Sequence, residues 1–137
     1  MRVVVVGAGA AGMVAALRLS EKGCTVTLIE QGEIPHPRAA SFDQHRIIRH
    51  LYPGQDGYAK LVDAAFGAWD RLWERLGRRH LAETGVLGLS LQPGDWTDRG
   101  RHGLERLGIP HQVWETWEVR RKLPQFAIAD GTTGIYT

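Results

Sequence analysis

Arg2-Val3-Val4-Val5-Val6-Gly7-Ala8-Gly9-Ala10-Ala11-Gly12 is the stretch that decides the fold. Its four consecutive valines predict a buried strand. The G-x-G-x-x-G that follows opens a helix predicted over Ala10 to Lys22, with Val14, Ala16 and Leu17 on one face and Gly23 as its stop. Cys24 to Glu30 alternates around Val26, Leu28 and Ile29 and predicts a second strand. The three pieces make a β-α-β unit of about 30 residues. Each glycine serves a separate physical purpose. Gly7 permits the tight turn, Gly9 lets the backbone approach a pyrophosphate, and Gly12 lets the helix lie close on the strand. The helix N-terminus offers unpaired N–H groups and a partial positive charge to phosphates. Glu30 closes the second strand 18 residues beyond Gly12. That is near the position expected of an acid that accepts from ribose hydroxyls and repels a 2′-phosphate, which disfavours NADP. FAD and NAD share the ADP half, so the fingerprint leaves both open.

Working outward, residues 31 to 57 form a long irregular stretch punctuated by Pro35, Pro37 and Pro53, and a loop of this length is usually functional or disordered. Residues 58 to 79 follow the helical period through Tyr58, Leu61, Val62, Ala65, Trp69, Leu72, Trp73 and Leu76. Trp69 and Trp73 sit one turn apart on that stripe, where core packing is expected. Arg71, Arg75, Arg78 and Arg79 lie off it beside Asp70 and Glu74, as on a solvated, ion-paired face. Thr84 to Leu91 predicts a strand, 96 to 107 a helix, and Gln112 to Glu115 a short strand. Thr116 is the expected cap of a helix reaching Leu123, and Trp114 and Trp117 could pack against the long helix. A last strand is expected from Gly134 to Thr137 with nothing to pair against, which predicts a sticky edge.

Composition sets the class. The chain has 137 residues, 43% apolar and 23% charged, with a net charge of +2. These values describe a globular chain and argue against disorder. The run from Val3 to Ala11 is too short to span a bilayer. The small net charge and the lack of a recognition motif give no reason to expect nucleic acid. One cysteine, Cys24, rules out an internal disulfide framework, and a reducing cytoplasm is the default location. His36, His45 and His50 lack the i, i+4 spacing of a helical metal pair, so no metal is expected.

Ala39-Ala40-Ser41-Phe42-Asp43-Gln44-His45-Arg46-Ile47-Ile48-Arg49-His50-Leu51-Tyr52 resembles a motif of the FAD-dependent amine and amino-acid oxidases of the D-amino-acid-oxidase fold. The likeness is greatest to their sarcosine oxidase and N-methyltryptophan oxidase branch. Glu83 to Leu89 resembles that family's strand after its long helix, and Arg120 to Phe126 its passage before the substrate domain. The resemblance implies oxidation of a small amine or N-alkyl amino acid: hydride passes to the flavin, the imine hydrolyses, and dioxygen is reduced to hydrogen peroxide. The cofactor carries this chemistry and the protein positions and tunes it. It implies that Gly7, Gly9, Gly12 and Glu30 hold the ADP half of FAD. Ser41 would lie near the pyrophosphate or flavin, and His45 could contact the flavin. Arg46 would stand beside the isoalloxazine, and Arg49 would bind the substrate carboxylate. Arg46 and Arg49 are thus the candidate catalytic residues. A guanidinium fork suits either role, and in an extended segment residues three apart face opposite ways.

The implied fold class is α/β: an N-terminal Rossmann-like FAD- or NAD(P)-binding β-α-β unit followed by the start of a mixed α+β substrate domain. Residues 1–80, with the flavin-side loop 35–57 and the long helix 58–79, form the first part, and 81–137 an incomplete second. Family members are much longer and take their oxygen-activating lysine from later sequence. The reading is therefore the N-terminal part of such an oxidase. Its rivals are a non-catalytic fragment, or half of a split enzyme completed by a complementary C-terminal chain, and a small NAD-binding module.

Overall fold

The computed structural model describes residues 1–137, which form two compact units, Met1–Ile47 and Ile48–Thr137. The boundary expected at 80/81 divides the chain by function and is a different quantity from this division into compact units.

In the first unit, β1 (Arg2–Val6), α1 (Ala10–Glu21) and β2 (Thr25–Ile29) form the β-α-β unit. The strands are parallel, with Arg2 opposite Thr25 and Val6 opposite Ile29. α1 lies on the Val5 face: a Cβ on Gly12 would stand 3.7 Å from the Val5 Cγ1. Gly23, at φ +78°, turns the chain out of α1 as expected, and the Cys24 amide donates to the Leu19 carbonyl. The strand was expected to be buried, and only half of it is. Val3 and Val5 are half-buried, whereas Val4 and Val6 are 60% and 80% exposed. A continuous apolar run suits a strand covered on both faces. Here α1 covers one face, and Val4, Val6 and Ile29 stand uncovered on the other.

The second unit contains α2 (Asp56–Leu76), β3 (Leu87–Ser90), α3 (Trp96–Leu107), β4 (Gln112–Trp114), α4 (Thr116–Lys122) and β5 (Thr133–Tyr136). The strands form an antiparallel sheet in the order β3-β5-β4. This overturns the expectation of an unpaired last strand, because β5 is the central strand. Ile135 stands opposite both Gly88 and Val113 and is fully buried. Leu51, Leu104 and Ile135 form the core, with Ile109 against it.

Local chemistry explains the element ends. α2 stops at Gly77, at φ +68°, short of the expected Arg79. β3 begins late because Gly85, at φ +67°, turns the chain under the Tyr136 ring. The cap of α4 is Glu115 rather than Thr116: Glu115 and Glu118 form a reciprocal capping box. The Thr116 hydroxyl instead donates to the Thr132 carbonyl at 2.8 Å. Trp114 stacks on Tyr136 at 4.9 Å, and Trp117 is 60% exposed under Arg121, so the expected packing on the long helix gives way to these contacts. On α2 itself Trp73 is buried and stacks on Trp69 at 5.6 Å, while Tyr58, Leu61 and Leu76 of the apolar stripe remain exposed.

Candidate functional site: the glycine turn and the arginine loop

The turn between β1 and α1 is fixed from three sides. Gly7 has φ +95°, a conformation that side chains resist, and its amide donates to the Ile29 carbonyl at 2.7 Å. A Cβ on Gly12 would drive into the Gly7 carbonyl oxygen, and the Gly7 carbonyl carbon would lie 3.0 Å away. Gly7 and Gly12 are thus required by the fold. Gly9 differs. A Cβ there would meet only the Ser41 Oγ at 3.5 Å and the Ala39 Cβ at 3.9 Å, which are ordinary contacts. Gly9 is the N-cap of α1, at φ −68°, where any residue fits. Nothing within the chain demands a glycine at this position.

Ser41 comes to the same place. Its Oγ accepts from the Ala10 amide at 3.0 Å, meeting one of the unpaired N–H groups that begin α1. Glu30 closes the other side. One carboxylate oxygen accepts from the Ala8 amide at 2.7 Å and the other from the Gln31 amide at 2.7 Å. The Ala8 amide, then that of Gln31, holds the Glu30 carboxyl below the usual carboxylate range. Glu30 is therefore an anionic acceptor. A carboxylate has about four acceptor positions, so these two bonds leave room for further hydroxyl donors.

Arg46, also in the first unit, turns back on its own loop. Its guanidinium donates to the Ala40 carbonyl at 2.8 Å, the Asp43 carboxylate at 3.0 Å and the His45 carbonyl at 3.2 Å. Asp43 is held low by the Gln44 amide first and Arg46 second. His45 is exposed, and its carbonyl is its contact with Arg46.

Arg49 belongs to the second unit. Its guanidinium lies over two rings, 5.2 Å from the Tyr52 centroid and 5.4 Å from the Trp96 centroid. The segment around it is anchored residue by residue. His50 bonds Asp63 of α2 at 2.9 Å. Leu51, 2% exposed, is a knob against two glycines: a Cβ on Gly88 would approach its Cδ2 to 2.7 Å, and one on Gly100 its Cδ1 to 2.6 Å. Tyr52 lies 5.8 Å from the Tyr58 ring. Sequence reasoning singled out Arg49 and missed both rings beside it. Tyr52, at i+3, offered a weak local signal, and Trp96 offered none. A groove of about 560 Å³ around Asp70, Trp73 and Arg79 contains none of the residues selected from sequence as site residues.

Comparisons with known proteins show the family. The family model described as FAD dependent oxidoreductase (DAO) matches residues 2–137. Peroxisomal sarcosine oxidase of Mus musculus is 29% identical over 96% of this chain and 34% of its own length. N-methyl-L-tryptophan oxidase of Yersinia pestis is 25% identical over 97% of this chain and 36% of its own. The chain therefore spans about a third of the length of these curated relatives. Among solved structures, the open form of NikD, described as an unusual amino acid oxidase essential for nikkomycin biosynthesis, superimposes with a TM-score of 0.80. It is 20% identical, with 97% of this chain and 35% of that one covered. A strand–glycine turn–helix with Glu30 at its far edge, matched along nearly the whole chain, places this protein in the DAO family of FAD-dependent oxidoreductases.

Proposed function

We propose that this chain carries the ADP-binding unit, and part of the flavin and substrate surroundings, of an FAD-dependent oxidase acting on small amines or N-methyl amino acids. Gly9 is the observation that supports the reading most directly. The fold does not need a glycine there, whereas a pyrophosphate approaching the start of α1 would. Gly7 and Gly12 shape the turn, the α1 amides and Ser41 meet the phosphates, and Glu30 accepts from the ribose hydroxyls. His45 and Arg46 stand on the flavin side, where Arg46 would add positive charge. Arg49 receives the substrate carboxylate. Bound FAD would supply the acceptor for the hydride leaving the carbon beside the substrate nitrogen. Residues 1–80 belong, on this reading, to the flavin domain and 81–137 to the substrate domain.

No helix is long and apolar enough to cross a membrane. The cytoplasm is the location proposed, where the single thiol of Cys24 would stay reduced. The exposed Val4, Val6 and Ile29 favour a covering segment, supplied by further sequence or by a complementary chain.

Titration with FAD tests the cofactor assignment. Flavin fluorescence should change saturably, and Gly9→Ala should weaken binding at least roughly tenfold while the circular dichroism spectrum stays the same. NAD displacing FAD as the tighter ligand would overturn the flavin reading in favour of a nicotinamide module.

A further inference from the structure

Of all the arginines, only Arg49 and Arg101 are withdrawn from full exposure. Their surroundings are opposite. Arg101 is neutralised by Asp98 and Glu105. Arg49 meets no carboxylate of the chain, and its neighbours are the Tyr52 and Trp96 rings. Aromatic rings attract a half-buried guanidinium without taking up its N–H donors in ordinary hydrogen bonds, and those donors make none to the chain. Partial burial also strengthens any charge-assisted bond those edges make.

We infer that Tyr52 and Trp96 are positioning residues, which hold the Arg49 guanidinium so that its N–H fork faces a carboxylate. The inference rests on the reading of Arg49 as the carboxylate receptor and adds what orients it. Both rings stand on fixed supports. Tyr52 follows the buried Leu51 and lies against Tyr58. Trp96 is the first residue of α3, whose N-cap Asp95 accepts from the Asp98 amide at 2.9 Å and from the Leu91 amide at 2.8 Å. A free arginine side chain loses rotamer entropy on binding. In contact with two rings, Arg49 has lost part of that freedom before a ligand arrives.

The test uses acetate as the probe and the arginine side-chain Nε–Hε resonance of Arg49, assigned with Arg49→Lys, as the readout. In the unaltered chain that resonance should move saturably with acetate. Trp96→Leu and Tyr52→Leu should each weaken acetate binding roughly three- to tenfold. Trp96→Phe and Tyr52→Phe, which keep a ring, should restore most of it. Backbone amide spectra check that each variant is folded, and the Phe pair carries the test if a Leu variant is not. A resonance that ignores acetate in the unaltered chain refutes the carboxylate reading of Arg49. A resonance that responds equally in the unaltered chain and both Leu variants leaves that reading intact and overturns the role of the two rings. With the Phe pair alone, the role of the rings falls if either substitution weakens the acetate response of the Arg49 resonance by roughly tenfold or more.

Discussion

Gly100→Ala should change sign with the residue at position 51. In the native chain an added methyl would lie 2.6 Å from the Leu51 Cδ1 and 3.1 Å from both the Leu51 Cγ and the Pro53 Cγ. Leu51 cannot retreat easily, because its other methyl already fills the space over Gly88 and Leu51 is 2% exposed. Overpacking of this kind costs roughly 1–3 kcal/mol. Against it stands the helix preference for Ala over Gly inside α3, about 0.8–1.0 kcal/mol. The net change is between nothing and about 2 kcal/mol of destabilisation. Leu51→Ala alone should cost about 2–5 kcal/mol, as truncation in a core does. In that background both Leu51 atoms are gone and the Pro53 Cγ at 3.1 Å remains, so Gly100→Ala should stabilise by about 0.5–1 kcal/mol. Urea unfolding of the four proteins, followed by circular dichroism, gives the coupling directly, and unchanged m-values license the comparison. Additivity within about 0.5 kcal/mol would refute the knob between two glycines. It would also remove the anchor that fixes the segment bearing Arg49.

The glycine turn should separate stability from binding. Gly12→Ala should cost about 3 kcal/mol or more, because the Gly7 carbonyl it would strike is backbone. Gly9→Ala should change thermal unfolding by under about 1 kcal/mol while weakening FAD, so an equal loss of stability in both would contradict the division of roles. Glu30→Gln should weaken FAD roughly tenfold and reduce the preference for FAD over a 2′-phosphorylated dinucleotide, as measured by competitive titration. Asp95 gives a pH signature. The Asp98 amide at the start of α3 holds its carboxyl at about 2, against an ordinary value of 3.8. The unfolded chain therefore takes up the proton first, so the stabilisation is complete above about pH 4 and is lost as pH falls through about 2. Asp95→Asn keeps a capping side chain without the titration, and its stability should fall less steeply over that window in acid-unfolding curves. Identical slopes would remove Asp95 as the cause.

The sequence made legible what its local rules determine. The β-α-β unit follows from the valine run, the glycine spacing and the alternation around Val26, Leu28 and Ile29, because period and turn chemistry act within a few residues. The helix expected over 96 to 107 is α3, which Asp95 caps at its start and Gly108, at φ +66°, ends. Apart from the ends of α2 and β3, set by Gly77 and Gly85, the departures are of longer range or finer competition. Thr116 was a fair cap by residue type, but Glu115 and Glu118 together satisfy two backbone amides where Thr116 would satisfy one. The burial of β1 was overestimated because a run of valines describes what a strand would bury and says nothing of what is present to cover it.

β5 and Arg49 share one physical lesson. The residues that pair Ile135 are Gly88 and Val113, and one of the two rings that hold Arg49 is Trp96. Neither set is announced locally, because pairing across a sheet and stacking between loop and helix depend on closure of long loops rather than on neighbours. The motif around Arg46 and Arg49 therefore identified two arginines of one type in one segment, and the structure gives them unlike surroundings. Arg46 is spent on the Ala40 carbonyl and the Asp43 carboxylate of its own loop. Arg49 lies over the Tyr52 and Trp96 rings and pairs with no carboxylate of the chain. A guanidinium already bonded to its own loop has fewer donors left for a newcomer's carboxylate, whereas one in contact only with rings offers all of its own. Removing Arg46 should therefore disturb the loop 40–46 first, and removing Arg49 should disturb carboxylate recognition while leaving that loop in place.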